Sequence, residues 1–272
     1  MLPGCQCEAA KRHDITHMTL QLIVTLSIYI GICLLGLSVI GSILGQFRAA
    51  TVTSYLYLLS CTIFYAIRAY LKEFFPFTDK IESFIILSVM LLACALVYRR
   101  KISNKEFITL QVMSLGAASV IFIFVDVISY PPMFLHTLWY PLHIPVSFAA
   151  YAFWLVAGVN AVYAIPAWYK NDPTLQERSI LMTELNRLGF ISFTLAMLFG
   201  GIWGYFAWGA YFMWDPKMLW AVILWLFYGN LLHIDRLPKL QHWKVPLYAI
   251  GIVMILVAFI GTSFFSQSMH RF

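Results

Sequence analysis

The chain has 272 residues, of which 61% are hydrophobic and 11% charged, and it carries a net charge of +6. A soluble domain carries about 25% charged residues, so this chain cannot cover itself with polar surface, and a soluble globular protein is excluded. The positive charge is then a topology signal to be read connection by connection, and not a mark of nucleic-acid binding.

A helical span needs about 20 mostly apolar residues. Eight segments approach that length: 20–44, 51–71, 82–98, 107–129, 144–168, 187–206, 218–234 and 245–265. The third and seventh are short. The expected fold class is therefore all-α, a polytopic transmembrane bundle of about eight spans. No strand-like alternation or long repeat is visible. The first nineteen residues are polar and mixed, so no cleavable signal is expected there. Cys5 and Cys7 form a C-x-C in this tail, with nothing nearby to complement a metal or redox pair. Cys33, Cys61 and Cys94 fall in apolar runs and read as small buried hydrophobes.

Alternate connections hold Arg48; Arg99, Arg100, Lys101 and Lys105; Lys170, Arg178 and Arg187; and Arg236, Lys239 and Lys244. The opposite side holds Lys11, Arg12, Lys72, Lys80, Lys217 and Arg271. The richer side is the cytoplasmic one. Both termini and the connection 204–217 are then expected outside. Arg68 lies near the outer end of the second span, where it is expected to snorkel.

The segment from Trp203 to Asp215 reads WGYFAWGAYFMWD, with three Trp, two Tyr and two Phe. Interfacial belts do collect Trp and Tyr, but a belt needs fewer rings than this. With Gly204 and Gly209 interleaved, the stretch suggests a flat aromatic platform for a large planar ligand. Asp215 followed by Pro216 reads as a helix N-cap with Pro at the first helical position. Among the histidines, His13, His17, His136, His143 and His270 fall at the outer face and His242 in an inner connection. His233 sits near the inner end of the seventh span, roughly 20 Å below the outer loop by helix rise. Histidines in or beside a span are functional candidates. Imidazoles beside aromatic rings suit haem iron.

From Glu184 onward the sequence resembles the cytochrome c assembly family of haem-handling membrane proteins, the CcsA and CcmC group. The family's external tryptophan-rich "WWD" segment has the form WGxYWxWDPKExW, and Trp208 to Trp220 here read WGAYFMWDPKMLW. WLFYGNLLH, ending at His233, matches the family's next span, and SQSMH, ending at His270, matches its last. Upstream, HIPVSFAAY from His143 to Tyr151 matches a family histidine followed eight residues later by Tyr.

The resemblance implies an external haem site with iron ligands His143 and His270, and a membrane-embedded haem position with ligand His233. It implies haem b as cargo, resting among Trp208, Tyr211, Phe212, Trp214, Asp215 and Trp220. It also implies a CcsB/ResB-like membrane partner, expected here as a separate chain, and an apocytochrome c whose C-x-x-C-H motif receives the haem. Residues 130–272 would form the haem-handling region, with helices 1–4 in residues 1–129 of unassigned role. A bacterial inner membrane is the expected location, with the WWD loop on the outer side. Phe212 departs from the family's Trp and loses an indole N–H donor, while Met218 departs from its Glu. Lys217 and Arg271 are the nearby cations able to pair with propionates. Two other roles share these features, a haem exporter or chaperone and a b-type cytochrome subunit. The last predicts paired histidines inside the bundle, whereas only one clear intramembrane His is found.

Overall fold

The computed structural model describes residues 3–124 and 132–262, which are mostly helical, with no strand among them. The helices are α1 (Pro3–Ile43), α2 (Phe47–Lys72), α3 (Lys80–Val97), α4 (Asn104–Ala118), α5 (Trp139–Lys170), α6 (Leu175–Trp208), α7 (Pro216–Leu231) and α8 (Lys244–Leu256). Each, with the short turns that extend α4, α7 and α8, provides a stretch long and apolar enough to cross a membrane, eight in all. The protein is thus an integral membrane helical bundle, as its hydropathy requires. His270, Arg271 and the side chains of Cys5, Cys7, His13 and His17 lie outside the described residues.

The chain forms two compact units. In the first, residues 1–85 with 118–131, α1 packs along α2 through small residues that let the backbones approach. Ser38 Oγ donates to Ala50 O at 2.6 Å and shares a 2.7 Å hydrogen bond with Ser54 Oγ. A Cβ on Gly31 would stand 3.1 Å from Ser60 Oγ. Gly45, at φ 77°, turns the chain between the two helices. Where α2 meets α3, Arg68 does not snorkel. It is fully buried, with Nε donating to Glu82 Oε1 at 2.6 Å and Nη2 to Asp79 Oδ2 at 2.9 Å. Lys72 completes the cluster, 2.6 Å from Asp79 Oδ2 and from Glu82 Oε1. Two cations and two carboxylates neutralise one another there, which is how buried charges are tolerated. Cys61 and Cys94 are buried as expected, but Cys33 is exposed on α1.

The second unit comprises residues 86–117 and 132–272, and α5 lies at its centre against α6 and α8. Trp154 on α5 stacks flat on Tyr228 of α7, with centroids 3.8 Å apart and planes at 6°. Asn186 of α6 locks the pair: its Oδ1 accepts from Trp154 Nε1 at 3.0 Å and its Nδ2 donates to Tyr228 O at 3.1 Å. Gly189 faces the Trp154 indole so closely that no Cβ fits between them.

Helix α6 begins at Leu175, twelve residues before the apolar run that marks it in the sequence. Its first turns are polar, yet helical, because partners in the same unit satisfy them. Arg178 Nη1 donates to buried Glu106 Oε1 at 2.8 Å, and Asn160 Nδ2 donates to the same oxygen at 2.9 Å. Glu184 accepts from Lys101 at 2.7 Å, and Thr183 Oγ1 accepts from Lys244 Nζ at 2.7 Å. The connection between α5 and α6 shrinks to residues 171–174, with Asn171 in the left-handed conformation at φ 52°.

Candidate functional site

The end of the second unit at which α5 begins and α6 finishes is built around Trp203. This indole is 2% exposed. Its Nε1 donates to Phe134 O at 3.1 Å, tying α6 to the 3-10 turn Met133–Leu135. Tyr140 of α5 packs on it at 5.2 Å and Trp208 at 4.7 Å, edge to face. Trp139 meets Phe199 at 6.1 Å. The first turn of α5 and the last turns of α6 are therefore held together by rings.

Gly209, at φ 74°, ends α6 in the left-handed conformation and its N–H bonds Tyr205 O at 2.9 Å. Glycine is needed there because a Cβ disfavours positive φ. The chain folds back so that Tyr211 stacks on Tyr205, 4.6 Å apart at 14°. A Cβ on Gly204 would be 3.2 Å from Ala210 O, and one on Gly201 3.4 Å from Tyr211 O, so both glycines admit the returning loop.

The aromatic residues do not form one flat platform. Phe212 and Trp214 meet at 84° with centroids 5.5 Å apart, and Trp203 and Trp208 at 67°. Ring quadrupoles favour edge-to-face and offset-stacked pairs alike, and this segment mixes the two, with Tyr205 on Tyr211 stacked and the other pairs edge-on. The result is a ridge of exposed rings: Trp214 is 84% exposed and Tyr211 62%. Trp220 is half-buried on the first turns of α7.

Asp215 is the N-cap of α7. Its Oδ1 accepts from Lys217 N–H at 2.9 Å, Pro216 occupies the first helical position, and Leu219 N–H bonds Asp215 O at 3.0 Å. The carboxylate is 5% exposed and serves the helix terminus. Met213 N–H points to Met218 Sδ at 3.4 Å, so the residue that departs from the family's Glu fastens the loop to α7.

His143 is the fifth residue of α5 and half-buried against α6. Its Nδ1 is 2.7 Å from Ala196 O. A carbonyl oxygen only accepts, so Nδ1 carries the hydrogen of the neutral ring and Nε2 carries the lone pair. Among the described residues nothing bonds Nε2. A ring held by one nitrogen on a backbone carbonyl and open at the other is the arrangement of a metal-binding histidine. Lys217 lies within electrostatic reach of the imidazole, which relates the start of α7 to His143. Tyr151, two turns deeper, packs with Phe193 at 5.8 Å and Phe148 at 6.1 Å. His136 is exposed at the end of the 3-10 turn.

His233 stands at the opposite end of α7, beyond that helix's 16 residues, or about 24 Å of helix rise. Its side chain is exposed and bonds no described residue. His242 is also exposed at that end, tilted at 36° against Trp168 with centroids 4.8 Å apart. The structure thus places His143 with the aromatic loop and His233 far from it. Trp203, Gly200 and the Ala196 carbonyl are not marked as site residues by the sequence. Only Trp203 carries a signal, as the first ring of the aromatic run.

The fold and this site define a polytopic membrane protein that presents an aromatic loop beside an open imidazole. The chain belongs to the cytochrome c assembly protein family, whose model matches residues 49–270 and so includes α2 to α4. It is 38% identical to cytochrome c biogenesis protein CcsA of Prochlorococcus marinus strain MIT 9301, over 36% of this chain and 30% of that protein. It is 26% identical to protein NrfI of Wolinella succinogenes, over 76% of this chain and 24% of that protein. The matched portions are thus less than a third of those relatives. The cytochrome c haem lyase CcmF shares the fold, with a TM-score of 0.65 at 15% identity, over 89% of this chain and 46% of that one.

Proposed function

We propose that this chain is the haem-handling subunit of a system II cytochrome c biogenesis machinery. It holds haem b as cargo at the WWD loop and presents it to an apocytochrome c. The observation that carries this reading is His143, with Nδ1 fixed on Ala196 O and Nε2 open beside the aromatic loop. His143 and His270 would hold the iron of the external haem, and His233 that of an earlier, membrane-embedded haem. Trp208, Tyr211, Phe212, Trp214 and Trp220 supply apolar area to the macrocycle. Lys217 is the cation for a propionate. Asp215 acts by starting α7, which sets the place of Lys217 and Trp220.

Haem brings the vinyl groups. Each thiol of an incoming C-x-x-C-H motif adds its S–H across one vinyl C=C, with no net redox change. The chain orients the cargo and leaves that chemistry to haem and acceptor. A CcsB/ResB-like subunit supplies the second ligand for the His233 haem and the docking surface for the apocytochrome. The aromatic loop faces the outer side of a bacterial inner membrane, by the distribution of Lys and Arg.

The test is purification with the partner subunit, followed by haem spectra and c-type cytochrome yield in His143→Ala and His136→Ala. Loss of external haem and of maturation in His143→Ala alone is expected. Normal maturation in His143→Ala with loss in His136→Ala overturns the assignment.

A further inference from the structure

We propose that Gly200 is a positioning residue for His143: it opens the slot on α6 through which the imidazole reaches the Ala196 carbonyl. The inference rests on the reading of His143 as a haem ligand and names what sets that ligand's tautomer and aim.

Positions 196 and 200 are one helical turn apart on the same face of α6. The Ala196 carbonyl lies within an α-helix, where one lone pair serves the N–H four residues on, that of Gly200 itself. The second lone pair remains for an outside donor, and His143 Nδ1 takes it at 2.7 Å. To do so the ring lies over residue 200. A Cβ there would be 2.7 Å from Nδ1, 2.8 Å from Cε1 and 3.4 Å from Cγ. The first two distances are shorter than real Cβ contacts, and they fall on the edge of the ring that makes the hydrogen bond. Any residue but glycine must therefore push the imidazole off the carbonyl.

The backbone that carries the ring has little freedom to yield. Trp139 and Tyr140, at the start of the same helix, are packed against Phe199 and Trp203 of α6. Ser147 Oγ donates to His143 O at 2.8 Å, on the next turn of α5. Displacing the imidazole frees Nδ1 from its acceptor, so the proton is no longer confined to that nitrogen and Nε2 is no longer aimed. Loss of such an orienting partner typically lowers metal affinity about 10- to 100-fold.

The experiment uses the full chain, co-expressed with its partner subunit and purified in detergent. Haem content and the Soret and α-band positions are read with and without added imidazole. The variants are Gly200→Ala, His143→Ala, the double variant, and Gly116→Ala. Gly116 is a helical glycine of α4 with nothing within 4 Å of its Cβ position, so it reports the effect of a methyl alone. Gly200→Ala is expected to lose external haem about tenfold or more and to shift the bands as His143→Ala does, with Gly116→Ala unchanged. Imidazole is expected to restore haem to His143→Ala, by occupying the vacated slot, and to fail in the double variant, where the new methyl narrows that slot.

The double variant lacks the ring that the methyl would meet, so it reports on the slot even where Gly200→Ala does not fold. Equal rescue of His143→Ala and the double variant, or wild-type spectra in Gly200→Ala, overturns the role of Gly200 and leaves His143 as ligand. Full haem and unshifted bands in His143→Ala overturn both.

Discussion

Asp215 separates two roles that an acid at the end of an aromatic loop can play. Its carboxylate accepts the Lys217 N–H at 2.9 Å from the N-cap position of α7. Asp215→Ala removes that acceptor at a site 5% exposed to solvent, where water replaces it poorly. Loss of an N-cap costs about 1 kcal/mol, in a range of about 0.5–2. That is roughly a fivefold change in the population of the ordered α7 start. In a chain of this size it lowers the melting temperature by about 2–4 °C. Asp215→Asn keeps an equally good cap and forfeits the full negative charge, which acts on the helix dipole, about 0.3–1 kcal/mol, and on the Lys217 ammonium. The expected order of melting temperature in detergent is wild type, then Asn, then Ala, and haem content should follow the same order with Asn near wild type. Equal loss of haem in Asn and Ala with unmoved melting temperatures would refute the capping argument. The carboxylate's charge would then act on the ligand directly.

Arg68→Met removes the guanidinium from Asp79 and Glu82 inside the first unit and leaves Lys72 in place. A destabilisation of about 3–5 kcal/mol is expected, as for other buried pairs that lose one partner. Adding Glu82→Gln should recover part of it, and additive losses in thermal unfolding would contradict the cluster. His233→Ala is expected to lower haem at both positions, with partial recovery by imidazole. Intact external haem in that variant would remove His233 from the proposed haem path. A cysteine at Ala210 should react with an impermeant thiol reagent from the outer face of intact cells, and reaction only after permeabilisation would invert the proposed topology.

The spans were legible because a bilayer imposes length and hydropathy on a segment regardless of its neighbours. All eight apolar runs correspond to helices. The Asp215 cap was legible too, since capping is decided by residues adjacent in the chain. The polar start of α6 was not. Its helix depends on Glu106, Lys101 and Lys244, which are distant in sequence and supply the partners that hydropathy assumes to be missing. Arg68 was misread for the same reason, because its carboxylates lie on the far side of a turn.

The sequence by itself determined a helical membrane protein of the cytochrome c assembly family, through hydropathy and the order of the Trp208–Trp220 segment and its flanking histidines. Only the tertiary structure decided that the aromatic rings form a ridge instead of a platform. It alone decided that His143 leans on the Ala196 carbonyl through the gap at Gly200. A sequence records which side chains are present. Which lone pair a ring spends and which it keeps depends on the helix packed beside it.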